Sequence, residues 1–102
     1  MLMEIEQRRT EIQALCRQFS VKRLDLFGSA ASGDDRLQAH DLDFLVDLGD
    51  LPPKAYAEAY FGLLEALERL FSRPVDLVTA PSLRNPYFKQ RLEQTRSMLY
   101  AA

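Results

Sequence analysis

A chain of 102 residues, 47 % apolar and 27 % charged, has the make-up of a folded protein and is expected to form one domain over residues 1–102, with no room for a separate substrate domain. The net charge of −2 lacks the basic excess of a nucleic-acid surface, so direct nucleic-acid binding is not expected, although a small anionic substrate held through a cation remains compatible with it. The single Cys16 excludes an internal disulfide and there is no zinc-type Cys/His cluster; Glu4, Glu6, Arg8 and Arg9 break up any leader or membrane span, so a cytoplasmic location is expected.

Residues 2 to about 19 carry Leu2, Ile5, Ile12, Leu15, Cys16 and Phe19 at spacings that gather on one helical face, with Glu4, Arg8, Arg9 and Arg17 elsewhere. Cys16 falls on that stripe and reads as a small core residue. Val21 to Phe27 is the first expected strand. The GSAASG stretch, Gly28 to Gly33, suits a tight turn leading into a short helical turn. Asp41 to Leu48 is the second strand, closed by Gly49-Asp50. Pro52-Pro53 opens a helix whose apolar positions Tyr56, Tyr60, Leu63, Leu64, Leu67, Leu70 and Phe71 recur at steps of three and four, and Arg73-Pro74 stops it.

Val75 to Thr79 is the third strand. Pro81-Ser82 begins another helical segment, disturbed at Asn85-Pro86, because a residue before proline is pushed out of helical geometry. A cleaner helix is expected from Pro86 to about Arg96, then a short closing strand over Met98 to Tyr100. Helices alternating with short strands make the class α/β, with helices packed on a small mixed sheet. The Gly28 to His40 connection is short for a parallel crossover, so the first two strands should be antiparallel.

The chemistry is concentrated between Leu24 and Leu48. In an extended strand side chains alternate faces, so Asp41 and Asp43 project together while Leu42, Phe44 and Val46 take the other side. Two carboxylates so placed form an oxygen-rich corner suited to a hard divalent cation. Gly28 and Ser29, upstream, offer backbone N–H groups and a hydroxyl for a phosphate. A water-facing strand would show the same alternation of acids. Aspartate is a poor strand former, however, and Asp76 repeats the pattern inside a later apolar run. Asp47 shares the face of Asp43 but lies one step further along, and reads as solvent-facing or structural. Arg23, Lys54 and Arg73 read as solvated charges at element ends, and Tyr56, Tyr60 and Phe61 as core and edge packing.

The order Gly28-Ser29, a loop, Asp41-x-Asp43 in an apolar strand and Asp76 in a later one resembles the DNA polymerase β-type nucleotidyltransferase superfamily. Within it the chain, from about Val21 to Tyr100, is similar to the stand-alone minimal nucleotidyltransferases, or MNT domains. The resemblance implies a polymerase β-like palm holding two Mg²⁺ ions and a nucleoside triphosphate, commonly ATP. It assigns Gly28 and Ser29 to the triphosphate, and Asp41, Asp43 and Asp76 to the metals as the catalytic acids. Many relatives carry an arginine where this chain has Ser32, and a serine where it has His40. Small MNT proteins resemble the antitoxin halves of toxin–antitoxin pairs whose partner is a HEPN ribonuclease. The implied activity is transfer of AMP from ATP to a protein hydroxyl of such a partner. The alternative is a non-catalytic module that inhibits the partner by contact.

Overall fold

The computed structural model of the protein describes residues 3–28, 42–79, 90 and 96–102. The first amphipathic stretch forms two helices, α1 (Met3–Gln7) and α2 (Arg9–Gln18), rather than one. At their junction the chain tightens: the Arg8 N–H donates to the Ile5 carbonyl at 3.1 Å, and the Ile12 N–H to the Arg8 carbonyl at 2.9 Å. Ile5, Ile12 and Cys16 are fully buried, as the apolar stripe requires. The end of α2 is a Schellman cap. Ser20 sits in the left-handed region at φ 59°, the Val21 N–H donates to the Cys16 carbonyl at 2.9 Å, and the Ser20 N–H to the Arg17 carbonyl at 3.4 Å. That cap occupies Val21, which is why β1 begins two residues later than the sequence suggests.

The strands are β1 (Arg23–Phe27), β2 (Leu42–Asp47), β3 (Val75–Thr79) and β4 (Ser97–Ala101), with helix α3 (Pro53–Phe71) between β2 and β3. They form a mixed four-stranded sheet in the order β3-β2-β1-β4. β1 is antiparallel to both β2 and β4, and β2 is parallel to β3. The expected antiparallel pairing of the first two strands is therefore present, and so is the closing strand. α3 has a proline in its first turn and ends at Ser72, whose φ of 52° is left-handed, two residues before Pro74. The turn expected after Gly28 and the helical segments from Pro81 and from Pro86 lie outside the described residues, save Gln90, which is helical.

Alternation divides the sheet into two faces. Leu24, Leu26, Leu42, Phe44, Val46, Val75 and Leu77 join α1, α2 and α3 in the main core. The Phe44 and Phe71 rings stack with centroids 6.3 Å apart. α2 lies against β4, where Arg9 Nη1 donates to the Met98 carbonyl at 3.4 Å and Gln13 Nε2 to the Leu99 carbonyl at 3.3 Å. Arg23, Asp25, Phe27, Asp43, Leu45, Asp47, Asp76 and Val78 take the opposite face, where Phe27, Leu45 and Val78 form a small second apolar cluster. A one-residue slip of β2 would exchange Phe44 for Asp43, so burial itself holds the acids on the second face.

Candidate active site

The site begins where β1 stops. Gly28 has φ 78°, a left-handed conformation that L side chains rarely adopt. Its predecessor Phe27 is the register partner of Asp43 on β2. A Cβ placed on Gly28 would lie 2.9 Å from Asp43 Oδ2, so the half-buried Asp43 carboxylate rests directly over the glycine Cα. Backbone angle and space therefore demand glycine independently.

Asp43 is in turn the register partner of Asp76 on the parallel neighbour β3. Partners on adjacent parallel strands project to the same face, about 4.8 Å apart at the backbone. Phe27, Asp43 and the exposed Asp76 thus stand in register across three strands, with Gly28 the first residue beyond the end of β1. Ser29 and Asp41 lie outside the described residues, as do Ser32 and His40. Among the described residues no group of three or more His, Cys, Asp or Glu side chains is poised to hold a metal. The two placed carboxylates, with Asp41 two residues before Asp43 in sequence, fit the all-oxygen donor set that Mg²⁺ prefers.

Asp47 belongs to the turn: its Oδ1 accepts the Gly49 N–H at 2.8 Å. Reading the chain by residue types missed Asp25. It is 1 % exposed, on the same face as Asp43, and its carboxylate is held from two sides. Arg23 Nε donates to Oδ1 and Oδ2 at 3.2 and 3.1 Å, and Arg96 Nε and Nη2 approach Oδ2 at 3.0 and 2.9 Å. The available signal was an acid between Leu24 and Leu26, since a buried carboxylate must be paired. Arg23 is accordingly no solvated strand end, and neither is Arg73, which pairs with Glu4. Lys54 is exposed, as expected.

The aromatic residues of α3 divide between two roles. Tyr60 donates its hydroxyl to the Leu77 carbonyl at 2.7 Å. Burial raises the Tyr60 phenol above its ordinary value, and the negative charge of Asp76, then Tyr56, pushes the same way. Phe61, expected in packing, is 63 % exposed and meets Tyr60 edge-on at 5.1 Å. Tyr56, Tyr60 and Phe61 with Leu77, Val78 and Thr79 line an open cleft of about 440 Å³ beside β3.

The nucleotidyltransferase domain family matches residues 9–99. A protein of Methanocaldococcus jannaschii, provisionally named a protein adenylyltransferase, is 36 % identical over 76 residues, covering 74 % of each chain. A structure described as a minimal nucleotidyltransferase superposes with a TM-score of 0.65 at 26 % identity, covering 91 % of this chain and 90 % of the other. A chain of the complex between a tri-AMPylated Shewanella oneidensis HEPN toxin and its MNT antitoxin gives a TM-score of 0.64 at 21 % identity, over 98 % of this chain and 74 % of that one. A Gly28 turn closed over by Asp43, and Asp43 in register with Asp76, are thus found on a chain that belongs to the nucleotidyltransferase domain family and has the fold of its minimal members.

Proposed function

We propose that this protein transfers AMP from ATP to a hydroxyl group of a protein partner, and that the partner is a HEPN-type toxin which it silences as antitoxin. The observation that carries the reading is the alignment of Asp43 with Asp76 on adjacent strands beside the Gly28 turn. Asp41, Asp43 and Asp76 would hold two Mg²⁺ ions, and Gly28 and Ser29 would take the triphosphate. Bound there, the metal supplies neutralisation of phosphate charge as negative charge develops.

In the reaction the acceptor hydroxyl oxygen bonds to the α-phosphorus of ATP. The bond from that phosphorus to the α,β-bridging oxygen breaks, pyrophosphate leaves, and the hydroxyl proton passes to solvent. What the chain contributes is placement. β2 and β3 fix two carboxylates on one face before any ligand arrives, so little reorganisation remains when charge develops. Gly28 lets the backbone approach a phosphate closely because no Cβ intervenes.

A protein acceptor is supported by the 36 % identity to the provisionally named protein adenylyltransferase, and a HEPN acceptor by the fold shared with the AMPylated complex. Among the described residues no helix is long and apolar enough to cross a membrane, which supports a cytoplasmic setting. The net charge of −2 supports a protein rather than a nucleic-acid partner.

The test incubates the protein with ATP, Mg²⁺ and the product of the neighbouring gene, and weighs the partner by intact mass. One or more added AMP units are expected, lost in Asp43→Asn and Asp76→Asn variants that retain the wild-type circular dichroism. A stable complex with no added mass would leave a binding module. Efficient modification of a free small molecule without the partner would overturn the proposal.

A further inference from the structure

Asp76 stands on β3, which among the described residues is an outer strand with a hydrogen-bonded neighbour strand, β2, on one side. Such a strand turns a row of backbone N–H and C=O groups outward, where the sheet offers them no partner. The Leu42 N–H donates to the Pro74 carbonyl at 3.4 Å, which sets the alternation. Backbone groups of residues 74, 76 and 78 face β2, and those of 75, 77 and 79 face outward. Two of these outward groups are taken by side chains of α3. Glu68 Oε2 accepts the Val75 N–H at 3.2 Å, and Tyr60 donates to the Leu77 carbonyl at 2.7 Å. These bonds fall on the residues immediately before and after Asp76. Tyr60 and Glu68 lie eight residues apart on the helix, about two turns, so one face of α3 delivers both.

We infer that Tyr60 and Glu68 are positioning residues that clamp β3 from its open edge and thereby set the Asp76 carboxylate against Asp43. This rests on the reading of Asp43 and Asp76 as metal-holding acids, and goes beyond it by naming what fixes their separation. A carboxylate pair on an inner and an outer strand keeps its spacing only if the outer strand cannot slide or peel. The ladder to β2 holds the strand from its inner side, and the two side chains of α3 hold it from the outer one. The clamp also explains why a tyrosine and a glutamate occupy the seam between helix and strand, where apolar residues would otherwise pack.

The experiment measures Mn²⁺ uptake by the intact protein, reading free Mn²⁺ by electron paramagnetic resonance, for wild type, Tyr60→Phe, Glu68→Ala and Glu68→Gln. Amide hydrogen exchange at residues 75–77 and the metal-free melting temperature are recorded alongside. Tyr60→Phe and Glu68→Ala should speed exchange locally and raise the Mn²⁺ concentration for half-saturation by roughly 10-fold, the scale seen when the supports of metal ligands are removed. Glu68→Gln retains an oxygen that accepts from Val75 and should stay near wild type, which separates the hydrogen bond from the lost charge. Should Tyr60→Phe fail to fold, the Glu68 pair decides alone. Wild-type Mn²⁺ affinity in folded Tyr60→Phe and Glu68→Ala would overturn the clamp. Equal loss in Glu68→Gln and Glu68→Ala would overturn it too, since charge alone would then explain the effect. Wild-type protein that takes up Mn²⁺ but transfers no AMP would sink the proposed function while the clamp is still decided by the titration. A wild type that takes up no Mn²⁺ would sink both.

Discussion

Replacing Gly28 by alanine tests the geometry of the site at one atom. Two costs are expected, and the protein contains a control that separates them. Gly28 and Gly49 are both left-handed, at φ 78° and 65°. A Cβ on Gly49 would meet only Lys22 Cδ, at 3.7 Å, an ordinary contact, whereas on Gly28 it would meet Asp43 Oδ2 at 2.9 Å. Gly49→Ala therefore reports the backbone cost alone, about 1–2 kcal/mol. Gly28→Ala bears that cost and must also turn the Asp43 carboxylate away, adding about 0.5–1.5 kcal/mol for a strained rotamer. The sum is about 1.5–3.5 kcal/mol, a melting shift on the order of 6–28 °C for a domain of this size. Urea unfolding followed by circular dichroism gives the stabilities, and the rise in melting temperature with Mn²⁺ and ATP gives the state of the site. Gly49→Ala should keep that ligand response, and Gly28→Ala should lose most of it. Equal destabilisation by the two variants, with the ligand response intact in both, would refute the placement of Asp43 over Gly28.

Asp25→Asn should cost about 1–3 kcal/mol, because charge-assisted bonds to Arg23 and Arg96 become neutral ones at a buried position. The double change Arg23→Met and Arg96→Met should cost more, about 3–5 kcal/mol, since it strands the carboxylate; chemical denaturation of both would show the reverse order if Asp25 were not truly paired. Burial lifts the Cys16 thiol from 9.0 to about 12, so its contribution to stability is complete below pH 9 and is lost as pH rises towards 12. Iodoacetamide should therefore label native protein at pH 8–9 only as fast as it unfolds, and labelling at the rate of a free thiol would contradict the burial. Gly62→Ala would ordinarily gain up to about 1 kcal/mol in a helix. Here the new Cβ would stand 2.5 Å from Phe19 Cε1, so a net loss in melting temperature is expected, and a gain would show that the Phe19 ring yields freely.

Much of this architecture is written locally. The alternation of Asp43 with Leu42 and Phe44 is a property of any extended chain, so the face that carries the acids was readable before the fold was known. The three- and four-residue steps from Tyr56 to Phe71 defined α3 to within a residue at its start, because helix periodicity and a first-turn proline are local rules. The break at Arg8 and the cap at Ser20–Val21 were not legible. Both are set by backbone bonds within three to five residues, Arg8 to Ile5 and Val21 to Cys16, which the stripe of apolar residues does not encode.

What only the tertiary structure decided is which distant groups meet. Sequence spacing says that Asp43 and Asp76 each sit in a strand; the parallel pairing of β2 with β3 makes them neighbours in register. The buried Asp25 carboxylate is met by its near neighbour Arg23 and, across the sheet, by Arg96 at the entrance to β4, a long-range pair that spacing along the chain does not reveal. Tyr60 read as core or edge packing, yet its hydroxyl closes a backbone bond on the outer edge of β3, and the Glu68 carboxylate closes a second. Side-chain type and periodicity encode which face a residue takes, because those follow from the geometry of a single element. Partners across elements follow from strand order and register, which the whole core selects at once through the burial of Leu24, Leu42, Phe44, Leu63, Leu67 and Phe71.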